Sequence, residues 1–244
     1  MSYFVNNFNQ KIAYKFFKGK SPGIVFIHGL NSDMKGLKAT SIEKYAKKIG
    51  LSYLRFDCRG HGKSHGKFEE YSISDWKKDL IDILDNVTSG PQILIGSSMG
   101  GWLMMLAARE RKSRVAGLIG LAPAPDFTKN LFAELPKKVR NEINKNGISK
   151  VKKWKYSYIF TKKFFEEGKK NFVLNNKFLF NKPVILIHGL QDNEVSPQIT
   201  QKIVKKISSK EVQVRYLKNS DHRLSSKSDL KIIRNAIENI LDLI

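Results

Sequence analysis

Cysteine is almost missing. The chain of 244 residues has one, Cys58, so no internal disulfide can form and a packed core has to hold the fold. A reducing compartment fits that usage. Long apolar runs are missing too. Gly23 to Ile27 and Pro183 to Ile187 are the length of a strand, and even Val115 to Pro125 falls well short of the roughly 20 residues that a bilayer-spanning helix needs. Met1 to Gln10 lacks the apolar stretch of a secretory signal, so a cytoplasmic setting is the expectation. Histidine is scarce, at 28, 61, 65, 188 and 222. His61 and His65 stand four apart in a glycine-rich turn, but no second histidine or cysteine pair accompanies them, so no metal is expected.

Acidic residues are few as well: 22 against 44 basic ones, a formal charge of +22. Such an excess suits a polyanion-binding protein. Its make-up argues otherwise. Thirty-five of the basic residues are Lys and nine are Arg, whereas Arg is the preferred reader of phosphates and base edges. The lysines are spread along the chain, and no nucleic-acid motif accompanies them. A solvated surface shaped by codon composition is the simpler reading, and no nucleic-acid partner is expected.

The apolar pattern is more informative. Ile12 to Phe17 alternates weakly and predicts an edge strand. Gly23–Ile27, Ser52–Asp57, Pro91–Gly96, Val115–Ala122, Pro183–Ile187 and Val212–Leu217 predict strands, most of them continuously apolar. Helices are predicted between them: about 36–48, closed by Gly50; 74–87, capped by Ser74; one from Ser98; 197–207; and 226–243. Alternating strands and helices, with strands buried on both faces, predict an α/β fold with a mostly parallel sheet covered on both sides. Only residues 124–182 break the rhythm. They hold fifteen basic and five acidic residues, and eight aromatics between Phe127 and Phe165, Trp154 and Tyr156 among them. They predict a small helical cap inserted into a single domain over 1–244.

Gly96-Ser97-Ser98-Met99-Gly100 fits G-x-S-x-G, with a strand before it and a helix after it. That setting holds a serine hydroxyl above the sheet on a sharp turn, so Ser98 is the candidate nucleophile. A serine needs a base, and the base needs an orienting acid. On this topology they follow in the order serine, acid, histidine. His222 comes after the last strand, and Asp192 after the strand before it. Asp126 and Glu194 are substitutes for the acid, whereas Asp221, adjacent to His222, is expected to point elsewhere. Two backbone donors are needed for an oxyanion. Met99 N–H directly follows the nucleophile. Leu30 N–H, in the loop His28-Gly29-Leu30, is the second candidate, with His28 bracing that loop. Asp57-Cys58-Arg59-Gly60-His61-Gly62-Lys63-Ser64 lacks the spacing of a phosphate loop and predicts a structural turn. The chemistry calls for no metal and no cofactor.

Taken together, His28-Gly29, the Asp57–Ser64 turn, Gly96 to Gly101, Asp192 and His222 resemble the α/β-hydrolase fold over nearly the whole chain. Three stretches, Gln92 to Met104, Leu186 to Asp192 and Ser220 to Arg223, are similar to the mitochondrial palmitoyl-protein thioesterases that also cleave an acyl glucuronide, and to their bacterial relatives. The resemblance implies cleavage of small-molecule or acyl-protein esters and thioesters. A peptidase or carbon–carbon hydrolase on the same fold is the alternative, and a non-catalytic polyanion binder is the alternative from another class. Sequence is silent on the acyl group, the leaving group and the oligomeric state.

Overall fold

The computed structural model describes residues 1–153 and 156–244. Trp154, named above with the cap aromatics, lies outside them, as does the Tyr156 side chain. Along the chain run β1 (Ser2–Val5), β2 (Lys11–Phe17), β3 (Lys20–Ile27), α1 (Leu37–Lys48), β4 (Leu51–Phe56), α2 (Ile73–Asn86), β5 (Gln92–Ser97), α3 (Met99–Glu110) and β6 (Val115–Leu121). Then come α4 (Phe127–Glu134), α5 (Lys137–Asn146), β7 (Ile148–Lys153), β8 (Tyr156–Thr161), α6 (Lys162–Lys170), β9 (Val184–Gly189), α7 (Gln198–Lys206), β10 (Val212–Leu217) and α8 (Lys227–Leu241).

Eight strands form one sheet in the order β1-β2-β4-β3-β5-β6-β9-β10. From β4 onward in that order the pairings are parallel. Strands β5, β6 and β9 sit in the middle, and every residue in them is buried. That is why they read as unbroken apolar runs. The sheet divides its side chains by the two-residue period of a strand. Ile24, Phe26, Ile93, Ile95, Ile185 and Ile187 face α1 and α8, against Ile42, Ile233 and Ile237. Val25, Ile27, Leu94 and Leu186 face α2, α3 and α7, against Trp76, Trp102 and Ile203.

Three expectations change. β2 is not the sheet edge, because β1 pairs antiparallel outside it. The turn between them is closed by Asn6 Oδ1, which accepts the N–H groups of Phe8 and Gln10 at 3.0 Å each. β1 is short and half-exposed, too brief to register as a pattern. Helix α2 is capped by Ser72 instead of Ser74. The Ser72 N–H and hydroxyl both reach Asp75, at 3.0 and 2.8 Å, in a capping box. Ser74 instead bonds Glu167 at 2.5 Å.

The third change lies in the 124–182 insertion. It is helical at α4, α5 and α6, but its middle is an antiparallel hairpin, β7–β8. Ser149 and Val151 point inward while Lys150 and Lys152 point out. Its aromatics enter the same apolar cluster as Trp76 and Trp102. Phe160 stacks on Phe164 and packs against Phe68, with centroids 5.1 and 6.4 Å apart. Asp126 fastens the two ends of the insertion. Its residue takes a left-handed conformation at the start of α4, and its carboxylate oxygens accept the N–H groups of Val173 and Leu174, both at 2.9 Å.

A carboxylate with two backbone donors contributes about 1.5–3 kcal/mol per charged hydrogen bond. Asp126→Ala removes both and is therefore expected to lower stability by roughly 3 kcal/mol or more and to open the insertion to protease ahead of the sheet. Limited proteolysis with mapping of the first cuts checks this.

Candidate active site

Ser98 stands between β5 and α3 with φ 53° and ψ −118°. This is a region that costs a non-glycine residue about 1–3 kcal/mol. The turn is held by its neighbours: Ser98 N–H donates to Leu121 O at 2.9 Å, and Ser98 O accepts from Gly101 at 2.8 Å and Ala124 at 3.0 Å. Gly100 is required here for a steric reason. A methyl at that position would run into the carbonyls of Ile27 and His28, so only glycine lets α3 start this close to the end of β3. The strained conformation points the hydroxyl out of the sheet.

His222 Nε2 lies 3.0 Å from Ser98 Oγ, and His222 Nδ1 lies 2.7 Å from Asp192 Oδ2. A carboxylate only accepts, so Nδ1 carries a proton and Nε2 is free to accept from the serine hydroxyl. The structure thus brings Ser98, His222 and Asp192 into one hydrogen-bonded chain. The loops bearing Asp192 and His222 are pressed together at Gly189, where a Cβ would collide with the Ser220 carbonyl. Met99, the first residue of α3, and Leu30 line the same cavity as Ser98 and His222. The first N–H groups of a helix have no partner inside it, and Met99 N–H is one of them.

The substitute acids fall elsewhere. Asp126 holds the cap ends. Glu194 Oε2 lies 3.8 Å from His222 Nε2, on the serine side of the ring instead of the Nδ1 side. Asp221 Oδ1 accepts the Arg223 N–H within its own turn, at 2.9 Å.

A profile of the family described as "Serine aminopeptidase, S33" matches residues 20–171. The chain is 39% identical over 235 residues to "Palmitoyl-protein thioesterase ABHD10, mitochondrial" of Bos taurus, covering 95% of this chain and 76% of that relative. The solved structure of alpha/beta hydrolase domain-containing protein 10 from mouse superposes with a TM-score of 0.92 at 36% identity, covering 99% of this chain and 98% of that one. A putative hydrolase from Agrobacterium vitis S4 superposes with a TM-score of 0.91 at 31% identity, covering 98% and 97%. The chain belongs to this family of α/β hydrolases. It is a hydrolytic enzyme.

The hydrolase keeps its remaining histidines neutral or bonded. His28 Nδ1–H donates to Gly29 O at 2.7 Å, and Nε2 accepts the Cys58 N–H at 3.0 Å. It ties the Leu30 loop to the end of β4, and burial lowers its pKa. His61 packs 4.9 Å from the His28 ring and is pushed down to about 3 by burial and by His28. The Asp57–Ser64 segment closes on itself: Asp57 accepts from Met34 N–H at 2.7 Å and Lys63 N–H at 2.9 Å. Lys38 donates to the Arg223 carbonyl, beside His222. Burial pushes its amine down to about 8, against the opposing pull of Asp221. Among the described residues no three His, Cys, Asp or Glu side chains gather as a metal site.

The cavity holds about 780 Å³. Met99, Phe127, Leu131, Tyr158 and Leu174 give it an apolar wall under the cap, and Asn31, Asp33, Lys38 and Arg223 give it a polar one near α1. One contact was not foreseen from sequence. His188, from β9, also reaches Asp192 Oδ2, at 3.0 Å. The available signal was its spacing of four residues from Asp192 in His188-Gly189-Leu190-Gln191-Asp192.

Burial pulls the Asp192 carboxyl upward, but hydrogen bonds from His188 and His222, the charge of His222 and the Val195 N–H outweigh it. The net result lies well below the usual carboxylate range. A folded-state pKa below the unfolded value gives stability that is complete above the unfolded value, about 3.9, and lost as pH falls through the folded one. Asp192→Asn should therefore cost more stability at neutral pH than at about pH 2–3. Chemical denaturation of both proteins at the two pH values measures it, and an equal cost at both would refute the assignment.

Proposed function

We propose that this hydrolase cleaves carboxylic esters or thioesters through an acyl-enzyme on Ser98, with His222 as base and Asp192 as its orienting acid. The observation that carries the reading is the unbroken chain Ser98 Oγ, His222, Asp192 at 3.0 and 2.7 Å, opening into a cavity with an apolar wall. His222 Nε2 takes the Ser98 proton as Oγ attacks the acyl carbon. Met99 and Leu30 N–H groups hold the tetrahedral oxyanion; one such donor is worth about 2.7–4 kcal/mol of barrier. His222 then gives its proton to the leaving alcohol or thiol. Water attacks the acyl-enzyme with the same histidine as base, and the acid departs. Asp192 keeps the ring in its Nδ1–H tautomer and stabilises the imidazolium.

The apolar wall at Phe127, Leu131, Tyr158 and Leu174 suits an acyl chain. The relative's name, palmitoyl-protein thioesterase, supports acyl thioesters as substrates, on a small molecule or on a protein. We read residues 1–244 as one hydrolase domain with 124–182 as its cap. Several cap lysines are held in ion pairs: Lys153 with Glu134 at 2.7 Å, Lys163 with Asp75 at 3.2 Å and Lys170 with Glu167 at 2.6 Å. That pairing favours a solvated basic surface over a selected polyanion site. Among the described residues no helix is long and apolar enough to cross a membrane. The single buried Cys58 supports a reducing compartment, and cytoplasmic placement is our proposal beside relatives named mitochondrial.

A second reading, peptidase action, has the family description in its favour. A fluorophosphonate probe should label the wild type and not Ser98→Ala, with kcat on an aryl ester falling by about 10⁴-fold or more. An acyl thioester should be turned over and an amino-acid amide left intact. Faster amide cleavage would favour the peptidase, and no labelling of folded wild type would sink the serine hydrolase.

A further inference from the structure

One imidazole besides His222 is set against the Asp192 carboxylate, and it is wholly buried. His188 has no exposed surface, and Thr200, at the start of α7, has none either. His188 Nε2 lies 3.0 Å from Asp192 Oδ2 and 3.0 Å from the Val195 carbonyl. Both groups only accept, so Nε2 carries the proton. Nδ1 lies 2.9 Å from Thr200 Oγ1 and takes the hydroxyl proton as acceptor. A single neutral tautomer meets all three contacts. Protonation would place a second N–H against Thr200 and a charge in a sealed space.

The oxygen that His188 holds is the one that serves His222. Asp192 Oδ2 accepts from both imidazoles, while Oδ1 accepts the Glu194 and Val195 N–H groups at 2.9 and 2.8 Å. Four N–H donors therefore surround one carboxylate. Two come from the backbone of its own loop, one from the base, and one from β9. His188 alone ties the Oδ2 side to the rigid sheet.

We propose that His188 is a positioning residue for hydrolysis: a neutral Nε2–H donor, fixed by Thr200, that holds Asp192 Oδ2 in line with His222 and draws off part of its charge. The inference rests on the reading of Ser98, His222 and Asp192 as the reacting set. A side chain that merely fills the space between β9 and α7 would affect stability without touching the titration of the base.

Titration separates the two. His222 faces Asp192 at Nδ1 and Glu194 Oε2 at Nε2. Asp221 and Arg223 flank it in its loop, and Lys38 from α1 binds the Arg223 carbonyl. Replacing His188 acts on the first of these contacts, through the donor it withdraws from Asp192 Oδ2 and from the neighbouring Val195 carbonyl. With one donor fewer, more of the Asp192 charge acts on the imidazolium form of His222. Because that form cannot accept the serine proton, the acid limb of the kcat/KM profile moves to higher pH.

The experiment follows hydrolysis of a short-chain aryl ester by the full chain over about pH 5 to 9. It compares the wild type with His188→Ala, His188→Gln and Thr200→Val. His188→Ala should lower kcat by about tenfold, the effect of one charge-assisted hydrogen bond, with KM within about twofold. Its acid limb should rise by about half a unit to one unit. His188→Gln, whose amide nitrogen reaches roughly the place of Nε2, should recover part of both. Thr200→Val, nearly the same size, should shift the limb in the same direction by a smaller amount, and it carries the test if the alanine variant does not fold. A wild type labelled by fluorophosphonate, with an unmoved acid limb in the folded variants, overturns the inference alone. A wild type that is not labelled overturns the hydrolase reading and this inference with it.

Discussion

Parallel pairing in register sets where everything else in this protein can stand. Ile27 is level with Gly96, Ser97 with Leu121, Leu121 with Ile187, and His188 with Tyr216. Five neighbouring strands therefore end along one side of the sheet. The loop with Leu30, the turn with Ser98, the start of the cap, the Asp192 loop and the His222 loop all leave from that side. In an open parallel sheet this is where ligands gather. Backbone ladders fix the spacing of those exits, so side chains distant in sequence meet within hydrogen-bond length.

Two glycines convert this shared edge into contact. Gly100 lets α3 begin against β3, and Gly189 lets the acid loop lie against the base loop. With those approaches made, buried polar groups have to be satisfied locally. Asp192 shows how completely this is done. Its negative charge, largely withdrawn from water, is met by N–H donors on both oxygens, which makes the ionised form the stable one. The neutral histidines His28 and His61 lie deeper, under apolar rings, and lock the turn on which the oxyanion loop leans.

Much of the sheet was legible because burial on both faces leaves a simple mark, a run of Val, Ile, Leu and Gly with no polar break. Val115–Leu121 carries it from end to end, and Ile93–Gly96 and Val184–Ile187 carry it within their strands. Departures occur where the mark is faint. β1 has four residues and little burial. The β7–β8 hairpin alternates, but lysine on its outer face hides the period in a segment already dense with lysine. Ser72 and Ser74 are both plausible caps, and the choice depends on which serine has Asp75 three residues ahead and which meets Glu167 from the cap. Asp126 and Glu194 compete with Asp192 on paper, since loop carboxylates carry no directional signal.

By itself the sequence determined the alternation of strand and helix, the order serine, acid, histidine, and the place of Ser98 on a strained turn. These are local or one-dimensional properties, written in periodicity, in turn residues and in chain order. Only the tertiary structure decided which carboxylate meets His222, that Asp126 serves the cap instead, and that His188 shares the oxygen of Asp192. Those outcomes depend on distances between loops separated by up to 124 residues. Such distances are set by sheet register and by close backbone approach, neither of which a linear pattern of residues can express.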